Sequence, residues 1–348
     1  MRRLLTTLAV LVAVSCTTNT AFKENTNFTV AEPLIPISKI QYRDKISNSC
    51  ISDVLVIDSL LLLQDECDSF YYHVYNLKYF QQIGKFGRKG EGPGEIAWTS
   101  FTGQYYSEAD STYFWTYDIN NGKLYLINLK SSIETSQLKA THYPLDVNTI
   151  GAKEVVHLNS NLFFADYNRE GAEFTSMIFN IILDTVQYIS NPNEILKVPA
   201  HKIRALYNSK IARHPSDSKV VVAFEYFNRA FIYNQNGELS DSIIKQQEHI
   251  PDLRDPNILA SNNTIRYNGD LSVDNDRIYL LNYELTIADY NDGRPSPTYL
   301  EVYDWQGNPL KKYKLDNRIL AFSYSAESGY LVGVSDIYEY PLFIYQLL

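Results

Sequence analysis

Cysteine is scarce, with three residues in 348, at positions 16, 50 and 67. That excludes a disulfide-built scaffold and a cysteine-rich zinc ribbon. Histidine occurs six times and never as His-x-x-x-His or His-Glu-x-x-His, so no local metal-binding motif is present. No Gly-Lys-Ser/Thr ending marks a phosphate loop, and no Gly-x-Ser-x-Gly marks a nucleophile elbow. No cofactor is therefore expected. Beyond residue 15 no apolar run approaches the ~20 residues of a spanning helix. Positive charge is also short: 31 Lys and Arg face 40 Asp and Glu, a formal net charge of −9 that argues against nucleic acid as a partner.

Aromatic residues are abundant instead, with 28 Tyr and 16 Phe. They favour strands and point to an all-β protein. The opening residues stand apart from this pattern. Arg2 and Arg3 precede an apolar stretch, Leu4 to Val14, which is too short to span a bilayer and ends at Ala13-Val14-Ser15-Cys16. We read residues 1–15 as a lipoprotein signal peptide and Cys16 as the lipid attachment site. An ordinary secretory signal is the alternative. Loss of Arg2 and Arg3 would take the net charge to about −11. Residues 16–36 are polar and carry two prolines, Pro33 and Pro36, and read as a tether. Residues 37–348 form the folded domain. The membrane is met through the lipid anchor only.

A short signature recurs through that domain: two apolar or aromatic residues followed by Asn, Asp or Gln. It stands at Val74-Tyr75-Asn76, Leu126-Ile127-Asn128, Ile178-Phe179-Asn180, Ile232-Tyr233-Asn234, Val302-Tyr303-Asp304 and Ile344-Tyr345-Gln346, with steps of 52, 52, 54, 70 and 42 residues. Each copy follows a strongly apolar run such as Leu60 to Leu63 or Val220 to Phe224. A polar alternating segment follows each of the first five copies, as an edge strand would. The unit is four antiparallel strands, and the architecture is a six-bladed β-propeller. Two β-sandwiches are the rival reading. The last copy lacks an outer strand, which the segment Ile37 to Tyr42 can supply, closing the ring.

Between the first and second units lies Gly87-Arg88-Lys89-Gly90-Glu91-Gly92-Pro93-Gly94-Glu95. Four glycines and a proline in nine residues make a shaped loop, not a helix or strand interior. With the leader and the longer stretch Gly84 to Ile96, the chain resembles the TolB-like six-bladed propeller lipoproteins of Gram-negative bacteria. The resemblance implies the fold and a lipid-anchored place in the cell envelope, at the outer membrane. It implies no reaction.

The loop, Gln246 to Asn268 and Ala288 to Pro297 all map to one face of such a propeller. Function concentrates on loops held by a rigid scaffold, so Arg88, Lys89, Glu91, Gly92, Pro93, Gly94 and Glu95 are candidate binding residues. Against this, the glycines suit a tight crossing between blades. Trp98, Trp115 and Trp305 can stack on a sugar or fill the core, and Trp305, in a turn, is expected to be the most exposed. Asp53, Glu154, His157, His214 and Asp274 lie on inner strands and can face a central channel. Cys50 and Cys67 oppose each other if the first two strands turn at Asp58-Ser59, forming a disulfide or remaining two free thiols. The leading expectation is a non-enzymatic binding module for an envelope protein or a glycan. The alternative is a metal-dependent propeller hydrolase or lactonase working in the channel.

Overall fold

Leu60-Leu61-Leu62-Leu63 shows why these strands read as unbroken apolar runs. Leu61 and Leu63 pack toward one neighbouring sheet, with Val54 and Val56, while Leu62 packs toward the other, with Leu55 and Ile57. Successive side chains in a strand point to opposite faces, so a sheet covered on both sides needs apolar residues at every position.

A computed structural model describes residues 28, 30–35, 46, 50–145, 152–166, 174–190, 206–245, 264–293 and 298–347. The short strand β1 (Glu32–Leu34) precedes the blades. Blade one is β2 (Ile51–Ile57), β3 (Leu60–Asp65), β4 (Phe70–Asn76) and β5 (Gln81–Arg88). Blade two is β6 (Ser100–Glu108), β7 (Ser111–Asp118), β8 (Lys123–Asn128) and β9 (Ala140–Pro144). Blade three is β10 (Val155–Asn159), β11 (Leu162–Asp166), β12 (Phe174–Asn180) and β13 (Thr185–Ser190). Blade four is β14 (Ser209–Arg213), β15 (Val220–Phe224), β16 (Arg229–Tyr233) and β17 (Leu239–Ile244). Blade five is β18 (Ile265–Val273), β19 (Arg277–Thr286), β20 (Thr298–Asp304) and β21 (Pro309–Leu315). Blade six is β22 (Ala321–Ser325), β23 (Tyr330–Val334) and β24 (Leu342–Gln346). Within each blade, neighbouring strands run antiparallel.

Among the described residues there are six apolar cores, one at each blade boundary. The core of Val54, Leu61, Val332 and Ile344 joins blade six to blade one, so the ring closes. Between blades one and two, Tyr72 is fully buried against Phe86, Phe101 and Phe114, with ring centroids 5.1 to 5.7 Å apart. This six-bladed, all-β architecture is the one the repeat implied.

Some details differ from the sequence reading. The segment Ile37 to Tyr42 lies outside the described residues. Its flanks are placed: Leu34 packs into the core between blades five and six, and Ile46 is buried in the core between blades six and one. Glu32–Leu34, assigned to the tether, pairs in parallel with the outer strand β21. Phe28 packs edge-on against Tyr303 at 5.2 Å. Docking follows from Phe28 and Leu34 having apolar cores of blades four to six beside them. The region Gln246 to Asn268 is a loop only in part, because β18 begins at Ile265. Among the described residues two short helices, α1 (Leu129–Thr135) and α2 (Ile287–Asn291), interrupt the β pattern. Each starts at a side-chain cap, Asn128 and Thr286 respectively.

Candidate functional site

The loop after β5 satisfies itself. Ile96 N–H donates to Arg88 O (2.9 Å), Gly90 N–H to Ile96 O (3.1 Å) and Glu95 N–H to Gly92 O (3.0 Å). The Glu95 carboxylate accepts from Gly92 N–H (3.0 Å). It also fills the space where a side chain on Gly90 would stand, since a Cβ there would lie 2.0 Å from Glu95 Oε2. Gly87 and Gly94 adopt left-handed φ values of 74° and 79°, which suit glycine. Lys89 Nζ lies over the Tyr71 ring at 4.8 Å. Arg88 approaches Glu95 to 3.9 Å but stays largely exposed, as do Glu91, Pro93 and Gly94. The loop thus brings its seven candidate residues into one turn, with the Glu95 carboxylate committed within it.

Cys50 and Cys67 are joined in a disulfide, with Cα atoms 5.6 Å apart. It ties the start of β2 to the connection after β3. Trp115 and Trp305 are 5% and 4% exposed and belong to blade cores. The expectation for Trp305 is corrected: its indole N–H donates to Asp274 O (3.0 Å) and its ring lies 4.6 Å from His214, because the turn folds back over the boundary of blades four and five. Trp98 is the exposed tryptophan, at 38%.

The inner strands surround a cavity of about 500 Å³. Of the five candidates for the channel, Asp53, Glu154 and Asp274 line it. His157 does not, being stacked on Trp115 at 4.8 Å, and neither does His214, whose Nδ1 accepts Ser216 and Asp217 N–H. Asp274 spends its carboxylate on the N–H groups of Asp276 and Arg277 and on the Tyr279 hydroxyl.

The channel brings forward residues that the sequence did not single out. Lys210, on β14, is paired with Glu154 at 2.7 Å, and Asp53 and Asp270 lie close enough to act on its charge. Although deep among protein atoms, the Lys210 side chain keeps 41% of its accessibility, as in a passage that solvent enters. Arg213 and Arg266 also line the cavity, and Arg266 is held by Glu225 at 2.6 Å.

Polar ties cross every blade boundary near this wall. Asp53 Oδ2 accepts Phe101 N–H (3.3 Å), joining blade one to two. Gln104 exchanges two hydrogen bonds with the His157 backbone, 2.7 and 2.8 Å, joining two to three. Lys210 and Glu154 join three to four. Tyr267 N–H donates to Glu225 O (2.8 Å), joining four to five. Asp270 Oδ2 accepts Phe322 N–H (2.7 Å), and Ser323 Oγ accepts Val56 N–H (3.0 Å), completing the circle.

Electrostatics set this end of the channel apart. Burial pushes the Asp53 carboxyl up to about 7, with Asp270 adding to the rise and Lys210 opposing it. Burial likewise raises Asp270 to about 6 against the pull of Lys210. Lys210 is held above the usual lysine range, chiefly by Glu154. One ammonium therefore faces three carboxyl groups, two of which titrate near neutrality. Such an arrangement can bind a polar or charged ligand and exchange a proton with it. Among the described residues no three His, Cys, Asp or Glu side chains are grouped as a metal-ligand set.

Asp53 and Asp270 each follow a small residue and precede an aliphatic one, in Ser52-Asp53-Val54 and Gly269-Asp270-Leu271. Asp53 is the third residue of β2 and Asp270 the sixth of the nine-residue β18, so strand position does not set them apart in the sequence.

A family model described as TolB-like 6-blade propeller-like matches residues 49–327. A crystal structure of a DUF4221 family member from Bacteroides vulgatus is similar, with a TM-score of 0.62, 11% identity, and coverage of 91% of this chain and 96% of that one. A putative exported protein from Bacteroides fragilis is also similar, with a TM-score of 0.54, 15% identity, and coverage of 90% and 87%. Raptor from Chaetomium thermophilum gives a TM-score of 0.53 at 10% identity, over 86% of this chain but 28% of that protein. At such identities the likeness concerns the fold. No curated protein sequence matches the chain.

Proposed function

Because the chain belongs to the TolB-like 6-blade propeller-like family, whose ring of blades encloses a central channel, we propose that it is an exported, lipid-tethered binding module. It takes a small ligand at the end of the channel lined by Asp53, Glu154, Lys210 and Asp270. The observation that carries this reading is the accessible Lys210–Glu154 pair with Asp53 and Asp270 beside it in a cavity of about 500 Å³. Ligand sites favour concave places where a few polar groups converge on otherwise apolar walls. Among the described residues the lining holds no histidine or cysteine, and its Ser272 and Ser323 hydroxyls accept backbone N–H groups across blade boundaries.

Export is supported by the leader that ends at Cys16, which would carry the lipid, and by the Cys50–Cys67 disulfide, which suits an oxidising compartment. Among the described residues no helix is long and apolar enough to cross a membrane. The rim loop is the weaker site, since its Glu95 is committed within the turn. Arg88 and Glu91 remain as the place where an envelope protein or glycan would touch it.

Equilibrium dialysis against an extract of the native envelope tests the choice. Small molecules should be retained by the unaltered protein and by a variant with Arg88→Ala and Glu91→Ala. They should be lost from Asp53→Asn with Asp270→Asn, in which each amide keeps one oxygen for the N–H across the blade boundary, Phe101 or Phe322, and gives up the second acceptor, which serves Val54 or Leu271 N–H. Retention that survives the channel substitutions would overturn the reading.

A further inference from the structure

The cavity has two acidic ends. Asp53 and Asp58 both line it and lie five positions apart along β2 and its turn, a distance of about 16 Å at ~3.3 Å per residue. At the Asp53 end, Glu154 and Asp270 join it around the single ammonium of Lys210. At the Asp58 end, the exposed Glu327 from the turn of blade six meets the Asp58 carboxyl. Arg213 is the cation on the wall near that end, and it has Asp217 beside it. Arg266 is already neutralised by Glu225, and the Asp274 carboxylate is engaged within its own turn. Between the two ends the wall is uncharged, made by Val54, Val56, Gly103, Ala212, Leu271 and Ser323.

From this juxtaposition we infer that the channel binds a linear organic polycation, with an ammonium group at each acidic end and its alkyl chain along the uncharged wall. The inference rests on the reading that the channel is the ligand site. A compact metal ion fits less well, because the carboxylates are divided between distant ends and the middle offers methylene-sized apolar contacts. A neutral sugar would leave the excess carboxylate charge without a counter-ion.

Titration calorimetry of the whole protein with spermine, at physiological ionic strength, tests it. One spermine should bind per chain. Binding should weaken about tenfold or more when either end is neutralised, by Asp53→Asn with Asp270→Asn or by Asp58→Asn with Glu327→Gln. Asn tolerates the left-handed φ of 52° at position 58, so the turn is kept. Putrescine, too short to span the ends, should bind more weakly and respond to one end only. Spermine affinity that ignores one of the two ends, or that magnesium chloride matches at equal concentration, would overturn the inference. Should spermine fail while extract molecules are still retained through Asp53 and Asp270, the ligand class is wrong and the channel reading stands. Should both fail, the channel reading falls with it.

Discussion

Asp166 is fully buried and Asp53 and Asp270 lie half-buried deep in the channel wall, and the protein's response to pH follows from that. Burial raises Asp53 and Asp166 to about 7 and Asp270 to about 6, from an ordinary 3.8. A carboxyl that holds its proton more tightly in the folded state contributes stability below about pH 4. That contribution is lost as pH rises through the folded-state value, because the folded form must then bear a buried charge. These groups should therefore lower the melting temperature between about pH 4 and pH 7. Asp53→Asn with Asp270→Asn should flatten that decline, and Asp166→Asn should flatten it further. Scanning calorimetry at several pH values measures this, and parallel declines in all variants would contradict it. None of this was legible in the sequence beyond the presence of the residues. Asp166 closes β11 and caps the turn before β10, accepting N–H from Lys153 (2.6 Å) and Glu154 (2.9 Å), a role that only the pairing of strands creates.

At the scale of elements, the apolar runs were readable because strands covered on both faces need apolar residues throughout, as Leu60 to Leu63 does. The short helix α1 was hidden by the repeat itself. Its cap, Asn128, is the third residue of the second copy, and its first turn is the polar Lys130-Ser131-Ser132. Trp305 was misplaced for a related reason: the turn Asp304-Trp305-Gln306-Gly307 looks solvent-facing until blade four is set beside it. The disulfide belongs to this scale as well. Its sulfurs close a loop of separation 17 across the β2–β3 hairpin, and a crosslink of that span stabilises by about 3 kcal/mol. Cys50→Ser should lower the denaturant stability of the domain by about that amount. Added reductant should lower the unaltered protein to the same midpoint. An unchanged midpoint in reductant would show that the crosslink contributes nothing.

For the whole molecule, the ring does what no local spacing can. Residues 53, 154, 210 and 270 are separated by 56 or more positions yet face one cavity. The blade count was legible because the repeat is periodic in the chain. The channel wall was not, because convergence on an axis leaves no trace in the order of residues. The fold therefore came from pattern, while the site needed the ring to be closed. Native mass spectrometry of the protein released gently from its own membrane would show whether the channel holds a ligand. A small-molecule adduct should persist with Arg88→Ala and Glu91→Ala and disappear with Asp53→Asn and Asp270→Asn. An adduct lost through the rim loop but indifferent to the channel aspartates would contradict the channel reading.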